Sequence, residues 1–232
     1  MPLTMPSKSA DFELCPDGAH IAVCYRVIDL GTQETTFKGQ PTRKHQILIQ
    51  WELPDERMAD GRPFSIGKKY TYSSSQKSNL RKDLESWRGK KFEDWELGEF
   101  DIGRLIGVGC MLNVVHDERQ DNTYANIASI MRLPKGTTTP TLKNDPICFS
   151  LADRPFDREK YESLSDRLKE VIAKAPEYRA AIEGRDPNDV VPPPNGEGDY
   201  GGRVYDDLDD PIPFATSSLS VEPGINRKPV IL

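Results

Sequence analysis

The spacing of apolar residues changes twice along this chain, and the order of these spacings limits the folds that it can adopt. Five segments alternate apolar and polar residues as strands do: 19–30, 43–53, 67–73, 110–116 and 124–133. Between the third and the fourth, Leu80, Leu84 and Trp87 lie at i, i+4 and i+7, which is helical spacing. Because period two indicates strands and period 3.6 indicates a helix, we predict three strands, one helix and two strands.

An oligonucleotide-binding (OB) fold has this order: it is a five-stranded Greek-key barrel with a helix between strands three and four. We therefore predict a mainly β, OB-like barrel over residues 18–152, although the order also fits other small β-barrels. The glycines and proline of residues 31–42 predict a loop between the first two strands. Residues 73–75 are serines that could cap the helix, and Gly89 follows its last turn.

The rest of the chain divides into three parts. Residues 1–17 are polar and predicted to be flexible, and residues 146–151 could add a strand. Apolar residues at helical spacing predict a C-terminal helix over 157–174, within a helical segment 153–184, and Pro176 should end or kink it. Residues 185–232 lose all apolar periodicity and are predicted to be a disordered linker and acidic tail.

Positive charge is concentrated in one part of a domain that is otherwise balanced. Residues 62–91 hold nine Lys or Arg against two acidic residues, with aromatic residues between them. Proteins that bind single strands combine a cationic groove for phosphates with aromatic faces on which bases stack. The residues assigned to a DNA-binding surface are Phe37, Lys38, Arg43, Lys44, Lys68, Lys69, Tyr70, Tyr72, Lys77, Arg81, Lys82 and Tyr124.

These candidates have competing structural interpretations. Trp51 and Trp87 share faces with apolar residues and are predicted to pack in the core. Phe37, on a Gly/Pro loop, is the first stacking candidate, and Tyr124, after a polar turn, is the second. For Tyr70 and Tyr72, stacking and core packing remain open. The basic helix face that includes Lys77, Arg81 and Lys82 could equally be an ordinary solvated surface.

Catalytic and cofactor motifs are not found in the sequence. The four cysteines and three histidines are dispersed, so neither a zinc site nor a disulfide framework is expected. A phosphate-binding Gly-x-x-x-x-Gly-Lys-Ser/Thr loop is absent. We therefore predict no enzyme, no metal and no cofactor. Apolar runs are too short to span a bilayer, which predicts a soluble intracellular protein without membrane contact.

Residues 205–214 place four carboxylates before a short apolar sequence. Net charge over residues 185–214 is −6, which equals that of the whole chain. The sequence resembles the acidic tip of bacterial single-stranded DNA-binding proteins, where aspartates precede Ile-Pro-Phe and recruit replication and repair proteins. It departs from that pattern at Pro211 and in the eighteen residues after Phe214. The resemblance implies partner binding by Asp206, Asp207, Asp209, Asp210, Ile212, Pro213 and Phe214.

The body of the chain resembles a phage family of single-stranded DNA-binding proteins. The resemblance lies in residues 27–33, 51–54, 80–89 and 124–130. It implies an OB-type fold and work on single-stranded DNA in replication or recombination, in the cytoplasm of a bacterial host. A protein-interaction adaptor and an annealing or nuclease-type recombination protein remain alternatives. The oligomeric state stays open, including a homo-oligomer.

Overall fold

The structure, a computed structural model, describes residues 13–37, 39–119 and 122–185. Its strands are β1 Gly18–Phe37, β2 Gln40–Arg57, β3 Pro63–Thr71, β4 Gly109–Arg119, β5 Asn122–Met131 and β6 Ile147–Phe149. Its α-helices are α1 Asn79–Arg88, α2 Asp94–Gly98, α3 Arg158–Glu162, α4 Asp166–Ala173 and α5 Pro176–Ile182. A 3-10 helix spans Ile102–Leu105. The predicted order of three strands, a helix and two strands is confirmed.

The strands form one sheet in the order β3-β2-β1-β4-β5, and β6 pairs with β1. Neighbours in this order are antiparallel, whereas β6 runs parallel to β1. The protein is therefore mainly β, as predicted. Among the described residues no backbone ladder joins β3 to β5, so the sheet is not closed by hydrogen bonds.

The predicted loop over residues 31–42 is wrong, because β1 and β2 continue through it as a long hairpin. Residues 32–37 pair with residues 40–45, and we call this hairpin the arm. Gly31 has a φ of +69° and lies at a register shift after Asp29, which identifies a bulge within the strand. Farther along the arm, the hydroxyls of Thr35 and Thr42 are 2.8 Å apart and hydrogen-bond across the two strands.

Helix α1 contributes its apolar face to the main core. Leu80, Leu84 and Trp87 are buried, and the Trp87 ring lies 5.7 Å from that of Trp51. The predicted core positions of both tryptophans are thus confirmed. The N-cap is Ser78 instead of one of the serines at 73–75, since its side chain accepts the amide of Arg81. Gly89 ends the helix in the left-handed conformation, as expected.

Three side chains connect the two edge strands of the sheet, β3 and β5, through α1. Asp83 of α1 accepts hydrogen bonds from Lys68 Nζ at 2.8 Å and from the Tyr70 hydroxyl at 2.9 Å, both on β3. Lys68 Nζ also reaches the carbonyl of Ile127 on β5 at 3.4 Å. Asp83 and Lys68 therefore link β3, α1 and β5 where the backbone ladder is missing.

Replacing Asp83 with alanine should destabilise the fold by about 2 kcal/mol, because the buried Tyr70 hydroxyl and the half-buried Lys68 lose their shared acceptor. Equilibrium urea unfolding measures this change. Glu118→Ala, which removes an exposed carboxylate from β4, is the control and should change stability by less than about 0.5 kcal/mol. Equal effects of the two substitutions would contradict a bridging role for Asp83.

The predicted C-terminal helix over 157–174 is two helices, α3 and α4, because the chain turns at residues 163–165 and Ser165 becomes the N-cap of α4. Helix α4 ends at Ala173, before Pro176. Pro176 itself begins α5, and proline is well accommodated in the first turn of a helix. These helices cover the face of the sheet opposite the main core. There Leu168 and Ile172 pack with Ile28, in a second apolar cluster.

The residues before β1 take part in the main core, although residues 1–17 were expected to be flexible. Cys15 is buried in that core, and its carbonyl accepts a hydrogen bond from His116 Nε2 at 2.8 Å. The folded domain thus includes at least residues 13–17 of the predicted N-terminal segment. In the described part of the chain, every helix is too short or too polar to traverse a lipid bilayer.

Candidate nucleic-acid interface

The arm and the end of β3 bring several predicted residues into one region. Tyr72 follows β3, and its amide donates to the carbonyl of His45 on β2 at 2.7 Å. The rings of Tyr72 and His45 lie 5.5 Å apart, so both side chains project from the same side of the hairpin. Arg43, two residues before His45, belongs to this side as well, because side chains alternate along a strand. We call the surface formed by Arg43, His45 and Tyr72 the arm face.

The Tyr72 ring is the main exposed aromatic group of this surface. Half of the residue is accessible, at 51%. Partial burial, together with the negative charges of Asp29 and Asp101, raises the pKa of the Tyr72 phenol. The phenol therefore stays neutral at physiological pH, and the exposed ring can stack on a base.

Arg43 can supply the positive charge beside this ring. Its guanidinium pairs with Glu34 at 3.1 Å, and both side chains are mostly exposed. An exposed ion pair of this kind contributes between 0 and about 1 kcal/mol. A phosphate could therefore replace Glu34 as the partner of Arg43 at little cost in free energy.

Lys44 and Lys69 lie nearby but on the other side of the sheet. Lys69 pairs in register with Leu48, and Lys44 shares the strand face of Leu48. Both lysines are half-buried. The structure thus separates them from Arg43 and Tyr72, although the sequence grouped all four.

The predictions that Tyr70 and Arg81 bind DNA are wrong, because both side chains are buried. Tyr70 is 4% exposed, and its hydroxyl donates to Asp83, so its ring has no free face for a base. Arg81 is 6% exposed and donates to Glu85, Asp94 and the carbonyl of Phe92. The contacts to Asp94 and Phe92 hold the start of α1 against the first residue of α2 and the segment before it. Lys68 is likewise engaged in the bridge through Asp83.

The remaining candidates are scattered. Lys77 and Lys82 are exposed, in the turn before α1 and on α1 itself. Tyr124 is half-buried on β5 opposite Asp117, in the hairpin near the start of β1, whereas the arm is formed by the end of β1. Lys38, the side chain of Phe37 and the acidic tail with residues 206–214 lie outside the described residues.

His45, which no sequence motif marks, is also part of this region. Its Nε2 donates to Asp29 Oδ1 at 2.7 Å, and its Nδ1 lies 3.9 Å from Glu177 Oε1. Glu177 of α5 also accepts hydrogen bonds from the amide and the hydroxyl of Thr32. These contacts fasten the base of the arm to α5. No local spacing could have revealed them, because the partners come from distant parts of the chain.

The His45 contacts predict a pH dependence of stability. Burial lowers the pKa of His45, but the hydrogen bond to Asp29 and the charges of Asp29 and Glu177 outweigh it and raise the pKa above 6.5. A raised folded-state pKa contributes stability that is complete below pH 6.5 and is lost as the pH rises through the folded value. The stability difference between wild type and His45→Gln should therefore shrink as the pH rises from 5.5 to 8.5.

Urea unfolding at several pH values in this range tests the assignment. Carboxyl groups with lowered pKa values, such as Asp94 and Glu96, are already ionised there and do not contribute to the change. Gln40→Ala, which removes an exposed side chain without a titratable group from the same strand, is the control, and its difference from wild type should stay constant. A constant difference for His45→Gln as well would show that protonated His45 does not stabilise the fold.

A second cationic surface lies at the C-terminal end of α1. It is a cleft of about 650 Å³, and Arg88, Arg104, Arg132 and Lys135 line it. Only Arg88 belongs to the basic segment 62–91 that the sequence analysis singled out. Arg104, Arg132 and Lys135 do not belong to a run of basic residues, so the charge pattern of the sequence does not indicate this cleft. Among the described residues, no three His, Cys, Asp or Glu side chains converge as metal ligands would.

Comparisons with known proteins do not assign the chain to a family. No protein-family model matches the sequence, and no curated protein gives a significant match. Any functional inference therefore rests on the residues and geometry described above.

Proposed function

We propose that this protein is a non-enzymatic single-stranded DNA-binding protein that coats and protects single strands in phage replication or recombination. The observation that carries the proposal is the arm face, where the exposed Tyr72 ring, just after β3, and the weakly paired Arg43 of β2 lie on the same side of the sheet. An aromatic face beside a cation is the combination that binds a base and its phosphate without sequence preference.

The strand order supports an OB-like barrel as the scaffold. The path β3-β2-β1-β4-β5, with α1 between β3 and β4 in the chain, corresponds to the OB plan except for the missing ladder between β3 and β5. Helix α1 and the Lys68–Asp83 contact occupy that gap. In an OB fold the hairpin between the first two strands borders the binding surface, which is the position of the arm here.

A single strand would follow the arm face toward the start of α1. Bases would stack on Tyr72, while Arg43 and the exposed Lys77 and Lys82 would contact phosphates. The acidic tail would compete weakly with DNA for these cations, and its Ile212 and Phe214 would recruit replication or recombination proteins in the host cytoplasm.

Titration of labelled oligo-dT at increasing salt tests the binding mode. With three or four phosphate contacts, affinity should fall about 20- to 50-fold between 50 and 200 mM salt, because binding releases about 0.7 counterions per contact. Affinity that does not change with salt would reject phosphate-driven binding. A complete lack of binding would favour an interaction adaptor, and strand cleavage with Mg²⁺ or Mn²⁺ would favour a nuclease-type protein.

Truncation after Asn195 tests the role of the tail separately. The shortened protein should bind oligo-dT as well as the full chain or more tightly, since a competing segment of net negative charge is removed. Binding to replication or recombination proteins should be lost. Reduced affinity for oligo-dT after truncation would contradict this role.

A further inference from the structure

The cleft at the C-terminal end of α1 lies over a rigid layer of aromatic residues, of which Trp87 and Phe92 are themselves buried in the main core. Trp87 is fixed by a hydrogen bond from its Nε1 to the carbonyl of Gly109 at 2.9 Å. Phe92 and Phe100 pack edge to face, 5.3 Å between ring centres. All of these residues line the cleft, and Val108, which is 41% exposed, contributes to its lining as well. A preformed, largely apolar cleft of about 650 Å³ has the size of a small-molecule site.

The charges in this cleft are all positive. Four cationic side chains line it, and no carboxylate belongs to its lining. Arg88 is neutralised by two hydrogen bonds to Glu96, at 3.0 and 3.2 Å. Within the described part of the chain, Arg104, Arg132 and Lys135 have no ion pair, and all three are exposed. Three uncompensated cations thus surround an apolar lining.

We propose that this cleft binds a planar ring joined to a phosphate, the chemistry of a nucleoside monophosphate. Guanidinium groups such as those of Arg104 and Arg132 match phosphate oxygens in two-pronged hydrogen bonds. The accessible apolar lining, with the half-buried Phe100 and the exposed Val108 and Pro134, would take the ring, and the threonines at 137 and 139 offer hydroxyls at the cleft wall. A free nucleotide and the phosphorylated end of a DNA strand share this chemistry. The site does not depend on the proposed strand binding by the arm face.

Calorimetric titration with dTMP, thymidine and inorganic phosphate tests the site. The full-length protein should bind dTMP saturably and at least about tenfold more tightly than either thymidine or phosphate, because only dTMP engages both the apolar lining and the cations. Arg104→Ala/Arg132→Ala should lower dTMP affinity at least about tenfold. Both side chains are exposed and unpaired among the described residues, so the melting temperature should not change.

Arg158→Ala/Arg167→Ala is the matched control, since it removes two exposed arginines from α3 and α4, outside the cleft lining. This variant should bind dTMP as the wild type does. Absence of saturable dTMP binding, or equal losses in the two double variants, would overturn the proposal. Equal affinity for dTMP and inorganic phosphate would overturn it too, because the ring would then make no contact.

Oligo-dT with and without a 5′-phosphate identifies the source of the ligand. Tighter binding of the phosphorylated strand by wild type, but not by Arg104→Ala/Arg132→Ala, would support the site and assign it to strand ends. Equal binding of both strands together with saturable dTMP binding would support a free nucleotide as the ligand. Unphosphorylated oligo-dT should bind both proteins equally, so failure of the cleft and failure of the arm face give different results.

Discussion

Replacing Tyr72 with alanine and Arg43 with glutamine together should weaken oligo-dT binding about 100-fold at low salt. Loss of one base stack costs about 1–3 kcal/mol, and loss of one phosphate contact adds about 1 kcal/mol, so the sum is near the 2.7 kcal/mol that corresponds to 100-fold. The slope of log affinity against log salt should also become shallower by about 0.7, because one phosphate contact is lost. Fluorescence polarisation with labelled oligo-dT measures both quantities.

A matched pair of substitutions separates this effect from a general loss of rings and charge. Trp95 is 69% exposed on α2, and Arg167 is exposed on α4. Trp95→Ala/Arg167→Gln therefore removes one exposed ring and one exposed cation away from the arm face. The control should keep its affinity for oligo-dT within about twofold. Comparable losses in the two variants would mean that the arm face has no particular part in binding.

Much of the fold could be predicted because apolar periodicity reports directly on burial. The alternating segments became strands, and the spacing of Leu80, Leu84 and Trp87 became a buried helix face. Periodicity did not predict the structure around Gly31, which lies in a bulge of β1 instead of a loop. A glycine with positive φ occurs both in loops and in strand bulges, and only the register with β2 distinguishes them.

The candidate site was less predictable, since exposure depends on where each strand leaves the core. Tyr70 and Tyr72 are two residues apart, so the alternation along a strand predicts that both point to the same face. Tyr70 is nevertheless 4% exposed and Tyr72 is 51% exposed. The difference arises because Tyr72 follows the last residue of β3 and meets His45, beyond the main core. The sequence also did not show which basic side chains form ion pairs. Arg81 looked available on a basic helix but is held by Asp94, which belongs to a short helix that the sequence analysis did not predict.

The arm also depends on the C-terminal helices, which connects the second apolar cluster to the candidate site. Glu177 of α5 holds Thr32 and lies near His45 at the base of the arm. Gln33 of the arm donates to the carbonyl of Val171 at the end of α4. The base of the arm is therefore supported by helices α4 and α5. The chain segment before these helices, between β5 and β6, is in turn held by the buried carboxylate of Glu52.

Glu52 holds the segment between β5 and β6 against β2. It is fully buried, at 0% exposure, on the β2 face opposite the main core. Its carboxylate accepts the amides of Lys143 and Asn144, both at 2.8 Å, and the side-chain amide of Asn144 at 2.6 Å. Such an arrangement satisfies a buried charge with three donors. Removing the Glu52 carboxylate would leave those three donors without an acceptor.

Glu52→Ala should therefore destabilise the protein by about 3–5 kcal/mol, the largest stability change that we expect from one substitution here. Glu52→Gln should cost less, because one side-chain oxygen remains to accept a hydrogen bond. Urea unfolding measures both changes, and hydrogen exchange at the amides of residues 143 and 144 should accelerate in each variant. Asp55→Ala, which removes an exposed carboxylate from the same strand, is the control and should change stability by less than about 0.5 kcal/mol. If Glu52→Ala were no more destabilising than Asp55→Ala, the buried carboxylate would not hold this segment, and another contact would have to position the helices that support the arm.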